Sequence, residues 1–484
     1  MNYNEIIDSK KDEIVSMLRE LIAYKSVRGE PSEAYPFGEE VQRVFEYMLE
    51  KGRIEGLDTV NIDNFGGHLE WIGAVTDARG EIVAAAKETV GIPVHLDVVP
   101  EGSGWTYDPY GGEISDGKIY GRGTTDNKCA AASVFFAIKA LKDSGYIPSR
   151  NVRLILGLNE ETGWSGMYKY LERAGEPDLG FVPDGDFPAV NGEMGILIFE
   201  LAKKFGKTNE KGIVLRSIEG GNAPNMVPDR ARAIIMDEIN KDFENVKEQL
   251  AAFRERTGYK INGKGVGKAF EITVTGLSAH GAYPQLGVNA VSILMAFLGE
   301  LHIANESIRD FVGFYNEHIG FELDGEGLGI GFSDEPSGKL ILNVGMIGMD
   351  SEAVIVTINT RSPVTIKEDE VYDALMPLVH KHNLGVVKLD SNPSIYFAPD
   401  SPFIETLMDV YRENTGDTES KPFVFGGGTY ARVIPNAVAF GPSFPHTPDL
   451  MHQKDEYINI DDLIKITHIY ADAIYRLTGA CNNP

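Results

Sequence analysis

The sequence predicts an α/β fold: a doubly wound, mostly parallel sheet domain with a smaller α+β domain inserted into it. Two observations carry this reading. Nearly continuous apolar runs, the mark of strands covered on both faces, alternate with helical patterns early in the chain and return near its end. Between them, runs that alternate apolar and polar residues mark strands with one wet face. The expected boundaries assign 1-194 and 385-484 to the first domain and 195-384 to the insert.

The elements follow in order. Ile14, Met17, Leu18, Leu21 and Ile22 recur at helical spacing. Strand-like runs between Val60 and Val99 end in Ile92–Leu96, and a loop rich in Gly, Asp and Pro follows. A helix then presents Val134, Phe135, Ile138 and Leu141 on one face. Val152–Leu158 is a nearly unbroken apolar strand, and a loop and short helix lead to the strand Leu179–Val182. In the insert, Ala269–Thr275 and Ala353–Thr360 alternate, with a helix expected over Asn289–Leu301. After it the runs VVKL and AVAFG restore the buried-strand pattern. Two amphipathic helices follow, the last carrying Leu463, Ile466, Tyr470 and Ile474.

A chain of 484 residues is long enough for two or three domains. Its formal charge of −27 repels phosphate backbones and anionic lipid, so neither nucleic acid nor a membrane is an expected partner. That charge also means that most carboxylates are plain solvated surface. Two cysteines, Cys129 and Cys481, make neither a disulfide framework nor a four-thiolate zinc site. The N-terminal stretch lacks the apolar core and cleavage site of a signal peptide. The longest apolar stretch, Ala130 to Leu141, contains Lys139 and falls short of the ~18 residues a spanning helix needs. A cytoplasmic location is the expectation.

Five places put metal-ligating residue types at or near the ends of apolar strands or in the loops around them. His95-Leu96-Asp97 closes a strand; residues i and i+2 share a face, so Asp97 can accept one imidazole N–H while the other nitrogen binds a metal. An ordinary hydrogen-bonded loop is the plain alternative. Asp126 precedes a helix, where an N-cap is the alternative. Glu160 and Glu161 follow a buried strand, as a ligand beside a proton carrier or as a solvated acidic loop. Asp184 ends another strand, with Asp186 as its rival and a Pro-Asp-Gly turn as the bland reading. His452 stands near the end, with His446 as its rival and a polar loop as the alternative for both. Two histidines and three carboxylates suit two divalent cations that share one bridging carboxylate. With a bridging hydroxide, such a site is electrically neutral.

These segments, in this order, resemble the dinuclear zinc peptidase family of aminoacylase, carboxypeptidase G and succinyl-diaminopimelate desuccinylase, and within it the dipeptidase V (carnosinase-like) branch. The likeness rests on HLDVVP…GWTYDP, GRGTTDNK, NEET, PDGDFP…NGE, GLSAHGAYPQLGVNA, FGGGTYAR and MHQKDEY, which span nearly the whole chain. It implies that Asp126 bridges two metal ions, zinc first with manganese or cobalt as substitutes. His95 and Asp184 would complete one ion, Glu161 and His452 the other. Glu160 would be general base and then general acid, and Asp97 would orient His95. The resemblance also implies a cis peptide at Asp126-Asn127. In the insert, which becomes a lid, His280 resembles the histidine that polarises the scissile carbonyl; a polar turn is its other reading. Asn225, Arg361 and the loop with Gly427, Gly428 and Thr429 resemble a substrate-binding set. A guanidinium pairs bidentately with a carboxylate, so Arg361 suits the C-terminus of a peptide; a surface salt bridge is the alternative.

The implied activity is hydrolysis of the amide bond of short peptides with a free amino terminus, because aspartate rather than glutamate stands at position 184. An N-acyl-amino-acid deacylase or carboxypeptidase with the same metals is the nearest rival, and a non-catalytic binding protein a remote one. The long insert resembles that of single-chain members, which favours a monomer over a homodimer. Two residues depart from the family pattern: Cys129 stands where glycine is usual, and Val94 precedes His95 where a small residue is common. Neither removes a ligand.

Overall fold

The computed structural model describes residues 2–77, 81–206, 211–237, 239–448 and 450–479. Cys481 lies outside them; Cys129 is buried and free. The chain forms two compact units, one of residues 1–192, 397–423 and 428–484, the other of residues 193–396 and 424–427.

The first unit is built on six strands: β1 (Asp58–Asn61), β2 (Gly67–Trp71), β3 (Thr89–His95), β4 (Asn151–Gly157), β5 (Leu179–Val182) and β6 (Ala437–Ala439). Their order is β1-β2-β4-β3-β5-β6. The pairs β4/β3, β3/β5 and β5/β6 are parallel, while β1/β2 and β2/β4 are antiparallel. Every residue of β3 is buried, which explains its lack of alternation. Leaving β3, the chain pairs β4 on one side and later crosses to β5 on the other. The crevice beyond the carboxyl ends of these three strands is therefore a topological switch point, where open α/β sheets place their sites.

Helix α1 (Lys11–Ile22) buries Ile14, Met17, Leu18, Leu21 and Ile22, the residues its spacing singled out. Helix α2 (Lys128–Asp143) is buried on nearly every side, and its small Ala130, Ala131, Ala132 and Ala137 allow close packing between sheet and helices. Helix α3 (Ile460–Thr478) packs along α2 and contributes Leu463, Ile466, Tyr470 and Ile474 to the same core.

The second unit has an eight-stranded antiparallel sheet in the order Lys260–Val266, Ala269–Thr275, Arg230–Asp237, Ile213–Gly220, Ile341–Met349, Ala353–Ser362, Gly195–Lys204, Gly385–Asn392. Two expectations change here. The VVKL run belongs to Gly385–Asn392, an exposed edge strand of this sheet rather than a buried strand of the first unit. A β-branched run suits a pleated strand wherever it lies, so composition alone did not reveal the edge. The helix expected over Asn289–Leu301 is regular over Ala290–Leu298; the Asn289 side chain caps it by accepting the N–H groups of Val291 and Ser292 at 2.9 and 3.3 Å.

Candidate metal centre

Three predicted ligands stand at carboxyl ends of neighbouring strands in the first unit. His95 is the last residue of β3, Glu161 lies in the turn Glu160–Thr162 after β4, and Asp184 follows β5. Asp126 comes from the turn before α2. It is not a helix cap, since the cap position is Asn127 and no side chain bonds there. The Asp126–Asn127 peptide is cis. Its carboxylate instead sits between two imidazoles, 2.8 Å from His95 Nε2 and 3.0 Å from His452 Nε2.

The remaining distances close the cluster. His95 Nε2 lies 3.7 Å from Asp184, and His452 Nε2 lies 3.2 Å from Glu161. Ligand atoms of His95, Asp126 and Glu161 lie within 4.8 Å of one another, as do those of His95, Glu160 and Asp184. Glu160 thus belongs to the same cluster as the predicted ligands. His446, the rival of His452, points elsewhere: it stacks on Phe444 and faces Asp462 at 3.3 Å.

Asp97 has a different contact pattern from the one the strand alternation suggested. The His95 Nδ1 lies 2.9 Å from the main-chain carbonyl of Asp97 and 3.6 Å from its carboxylate. The carboxylate accepts the N–H groups of Glu160 and Glu161 at 3.1 and 3.2 Å. Asp97 therefore anchors the glutamate turn with its side chain and the histidine with its backbone.

Electrostatics follow from crowding. Burial pushes the Glu160 carboxyl well above its usual range, and the Asp184 charge adds to this. Burial also raises Glu161, with Asp126 adding, and raises Asp184 against the opposing pull of His95. Burial would raise Asp126 too, but hydrogen bonds from His452 and His95 overcome it and hold that carboxylate low. For both imidazoles burial disfavours the charge, and the surrounding carboxylates outweigh it: Asp184 and Asp126 at His95, Asp126 and Glu161 at His452.

The donor set fits divalent cations. Carboxylate oxygens and imidazole nitrogens suit zinc and its first-row neighbours. Glu161 Oε1 is buried with no hydrogen-bond partner, an acceptor that a cation would satisfy. Cys129 is not among the donors: its Sγ lies 3.2 Å from the Thr125 carbonyl, and burial raises its thiol.

The other predicted residues divide between the units. In the second, Met226 pairs with His280 as an isolated bridge, and the Gly281 N–H donates to the Asn225 carbonyl at 2.7 Å, so Asn225 and His280 are held side by side. Arg361 is buried at 3 % exposure on a central strand, which excludes the surface-pair reading. A side chain at Gly426 would meet Arg361 Cγ at 3.6 Å. Gly427 belongs with this unit, whereas Gly428 and Thr429 belong to the first. Thr429 there caps the turn Tyr430–Arg432 through the Ala431 N–H.

Sequence reasoning passed over several supporting groups. Asn127 donates to Asp184 at 3.1 Å. Glu456 is fully buried and accepts from the N–H groups of Gly123, Thr125 and Asp126, at 3.1, 2.8 and 3.3 Å, and from Arg122 at 2.6 Å. Trp164 donates to Glu160 at 2.9 Å. The available signal was adjacency: each lies within four residues of a predicted ligand or of Glu160.

Comparison with known proteins adds an independent line. The profile described as peptidase family M20/M25/M40 matches residues 91–476. A Bacillus subtilis (strain 168) protein named Putative dipeptidase YtjP is 36% identical over 483 residues, covering 99% of this chain and 100% of its own length. Among solved structures, human carnosine dipeptidase 1 aligns with a TM-score of 0.54 at 18% identity, over 98% of this chain and 99% of its own. The di-peptidase Dug1p of Saccharomyces cerevisiae aligns with a TM-score of 0.55 at 12% identity, over 98% and 97%. At such identities these two likenesses are of fold.

Proposed function

The chain belongs to peptidase family M20/M25/M40, and from that premise we propose that it is a metal-dependent dipeptidase for short peptides with a free amino terminus. The observation that carries this reading is the convergence of His95, Asp126, Glu161, Asp184 and His452 in one unit of the chain. The relative named as a dipeptidase along its whole length supports the substrate class.

In this reading His95, Asp126 and Asp184 would hold one divalent cation, and Asp126, Glu161 and His452 would hold a second. Zinc is the first choice, manganese or cobalt the alternatives, on the strength of an oxygen and imidazole donor set without thiolate. A divalent pair bound there would lower the pKa of a shared water toward about 7 and polarise a carbonyl oxygen.

The protein's own groups do the rest. Glu160, whose carboxyl burial favours protonating, takes a proton from the attacking water as the oxygen adds to the peptide carbonyl carbon. It returns that proton to the leaving amine as the carbon–nitrogen bond breaks. Asp97 keeps His95 in one orientation through its backbone carbonyl. His280 is assigned the polarising of the scissile carbonyl, and Asn225, Arg361, Gly427, Gly428 and Thr429 the binding of substrate. The first unit is then the metal-binding catalytic domain and the second a lid that binds substrate. A monomer and a cytoplasmic location complete the proposal, the latter supported by the sparse cysteines.

The test is a panel of dipeptides and their N-acetylated forms, assayed after metal depletion and after restoring Zn²⁺, Mn²⁺ or Co²⁺, with Glu160→Ala as control. Hydrolysis of the free dipeptides that falls on depletion and returns with metal is expected. A clear preference for acetylated substrates would replace the dipeptidase with a deacylase.

A further inference from the structure

Trp164 follows the glutamate turn and is held in an unusual way. Its backbone has φ +57° and ψ 6°, directly after Gly163 at φ +114°. A bulky residue in the left-handed region is strained and persists only where its surroundings enforce it. The enforcing contacts are visible. The Trp164 N–H donates to the Asn159 carbonyl at 3.1 Å. The Asn159 side chain in turn accepts the Gly166 N–H at 2.9 Å and donates to Ser165 Oγ at 3.1 Å. The indole ring meets Tyr430 edge-on, with centroids 6.2 Å apart. Tyr430 is fully buried against Gly157, where a Cβ would come within 2.5 Å of its ring and hydroxyl.

The result of this bracing is one hydrogen bond. The indole Nε1–H points at Glu160 Oε1, 2.9 Å away. We propose that Trp164 is a positioning residue for Glu160, fixing one carboxylate oxygen so that the other faces the attacking water. This rests on the reading of Glu160 as the proton carrier. Asp97 holds the backbone of the same residue through its N–H at 3.1 Å, so Glu160 is restrained at both ends. An indole suits the task because it is a donor only: it orients the oxygen without exchanging protons with it. A proton carrier must sit within hydrogen-bond reach of the proton it moves, and small misplacements are costly.

The experiment compares Trp164→Phe, Glu160→Gln and the double variant in metal-loaded protein. Trp164→Phe keeps the ring against Tyr430 and removes the donor. Its kcat is expected to fall about tenfold with KM within about twofold, and with metal content and thermal midpoint unchanged. In the Glu160→Gln background the same change should have no further effect. An unchanged kcat, or an equal loss in both backgrounds, would overturn the inference. If Glu160→Gln itself stays active, the proton-carrier reading fails instead. A second measurement needs no variant at position 164. In protein labelled with ¹⁵N-tryptophan, Glu160→Gln should shift one of the three indole resonances, and three unmoved resonances would equally overturn the inference.

Discussion

The His452 imidazole lies 3.0 Å from the Asp126 carboxylate although 326 positions separate them in the chain. His452 reaches it from a loop in which it adopts φ +63°, a left-handed conformation uncommon for histidine. Glu456, four residues on, accepts the Asp126 N–H at 3.3 Å and so ties the two loops together. The first unit thereby gathers imidazoles and carboxylates from strand ends, a helix start and a late loop.

On the proposed assignment, His452→Ala would remove one donor of the cation that Glu161 would also hold. Metal analysis should show about half the wild-type content, and dipeptide hydrolysis should fall by on the order of 100-fold or more, the upper end of what even indirect partners of a metal cost. Full metal content with full activity would rule out His452 as a ligand.

Chelation should destabilise the fold as well as abolish activity. Five carboxylates, Asp97, Asp126, Glu160, Glu161 and Asp184, crowd one region with two imidazoles. A cation present at about 1,000 times its dissociation constant contributes roughly 4 kcal/mol by mass action. Thermal melts with and without chelator should differ by several degrees, and restored metal should reverse the change.

Glu456→Ala leaves a buried arginine without its partner and three backbone N–H groups without their acceptor. Breaking one side of a buried ion pair costs about 3–5 kcal/mol. Urea unfolding should show a loss of that size, with Glu456→Gln losing less. The loop that carries Asp126 should also bind metal more weakly in both variants.

Asn343→Leu tests the proposed substrate contact at Asn225 in the second unit. The Asn343 amide donates to the carbonyls of Pro224 and Met226 at 3.0 Å each, on either side of Asn225. Removing it leaves two part-buried acceptors short of a donor, at up to about 1–3 kcal/mol. KM for dipeptides should rise more than kcat falls; the reverse would count against Asn225 as a substrate contact.

His68 sets a pH dependence of stability. Burial, and then the Arg153 charge, lower its pKa to about 3 from an ordinary 6.5. It is 4 % exposed and its Nδ1 lies 2.7 Å from Tyr170 Oη. The folded pKa is below the unfolded one, so the unfolded chain binds the extra proton. The contribution of neutral His68 is whole above pH 6.5 and is lost as pH falls toward 3. The slope is about 1.4 kcal/mol per unit at most, or roughly 2 kcal/mol by pH 5. Denaturant titrations should show that the stability of His68→Gln falls less over this range than that of the parent.

Much of this was legible before any coordinates. The buried strands around Ile92, Val152 and Leu179 declared themselves because burial on both faces demands unbroken apolar runs. The ligand types stood where those runs stop, since the strand ends are where side chains leave the core. Exposure at VVKL was not legible, because a β-branched run has the same composition on an edge as in a centre. Nor was the role of the Asp97 carboxylate: alternation places it on the face of His95, but turn geometry decides which donors reach it.

By itself, then, the sequence determined the α/β class, the inserted α+β unit and the short set of side chains able to hold a cation. Only the tertiary structure decided that His452 and not His446 meets Asp126, and that Arg361 is buried. It also decided that Trp164 donates to Glu160 and that Glu456 accepts the Asp126 N–H. The physical reason is range. Periodicity records what each residue faces within its own element, whereas a ligand cluster depends on strand order, crossovers and loop torsions between distant elements.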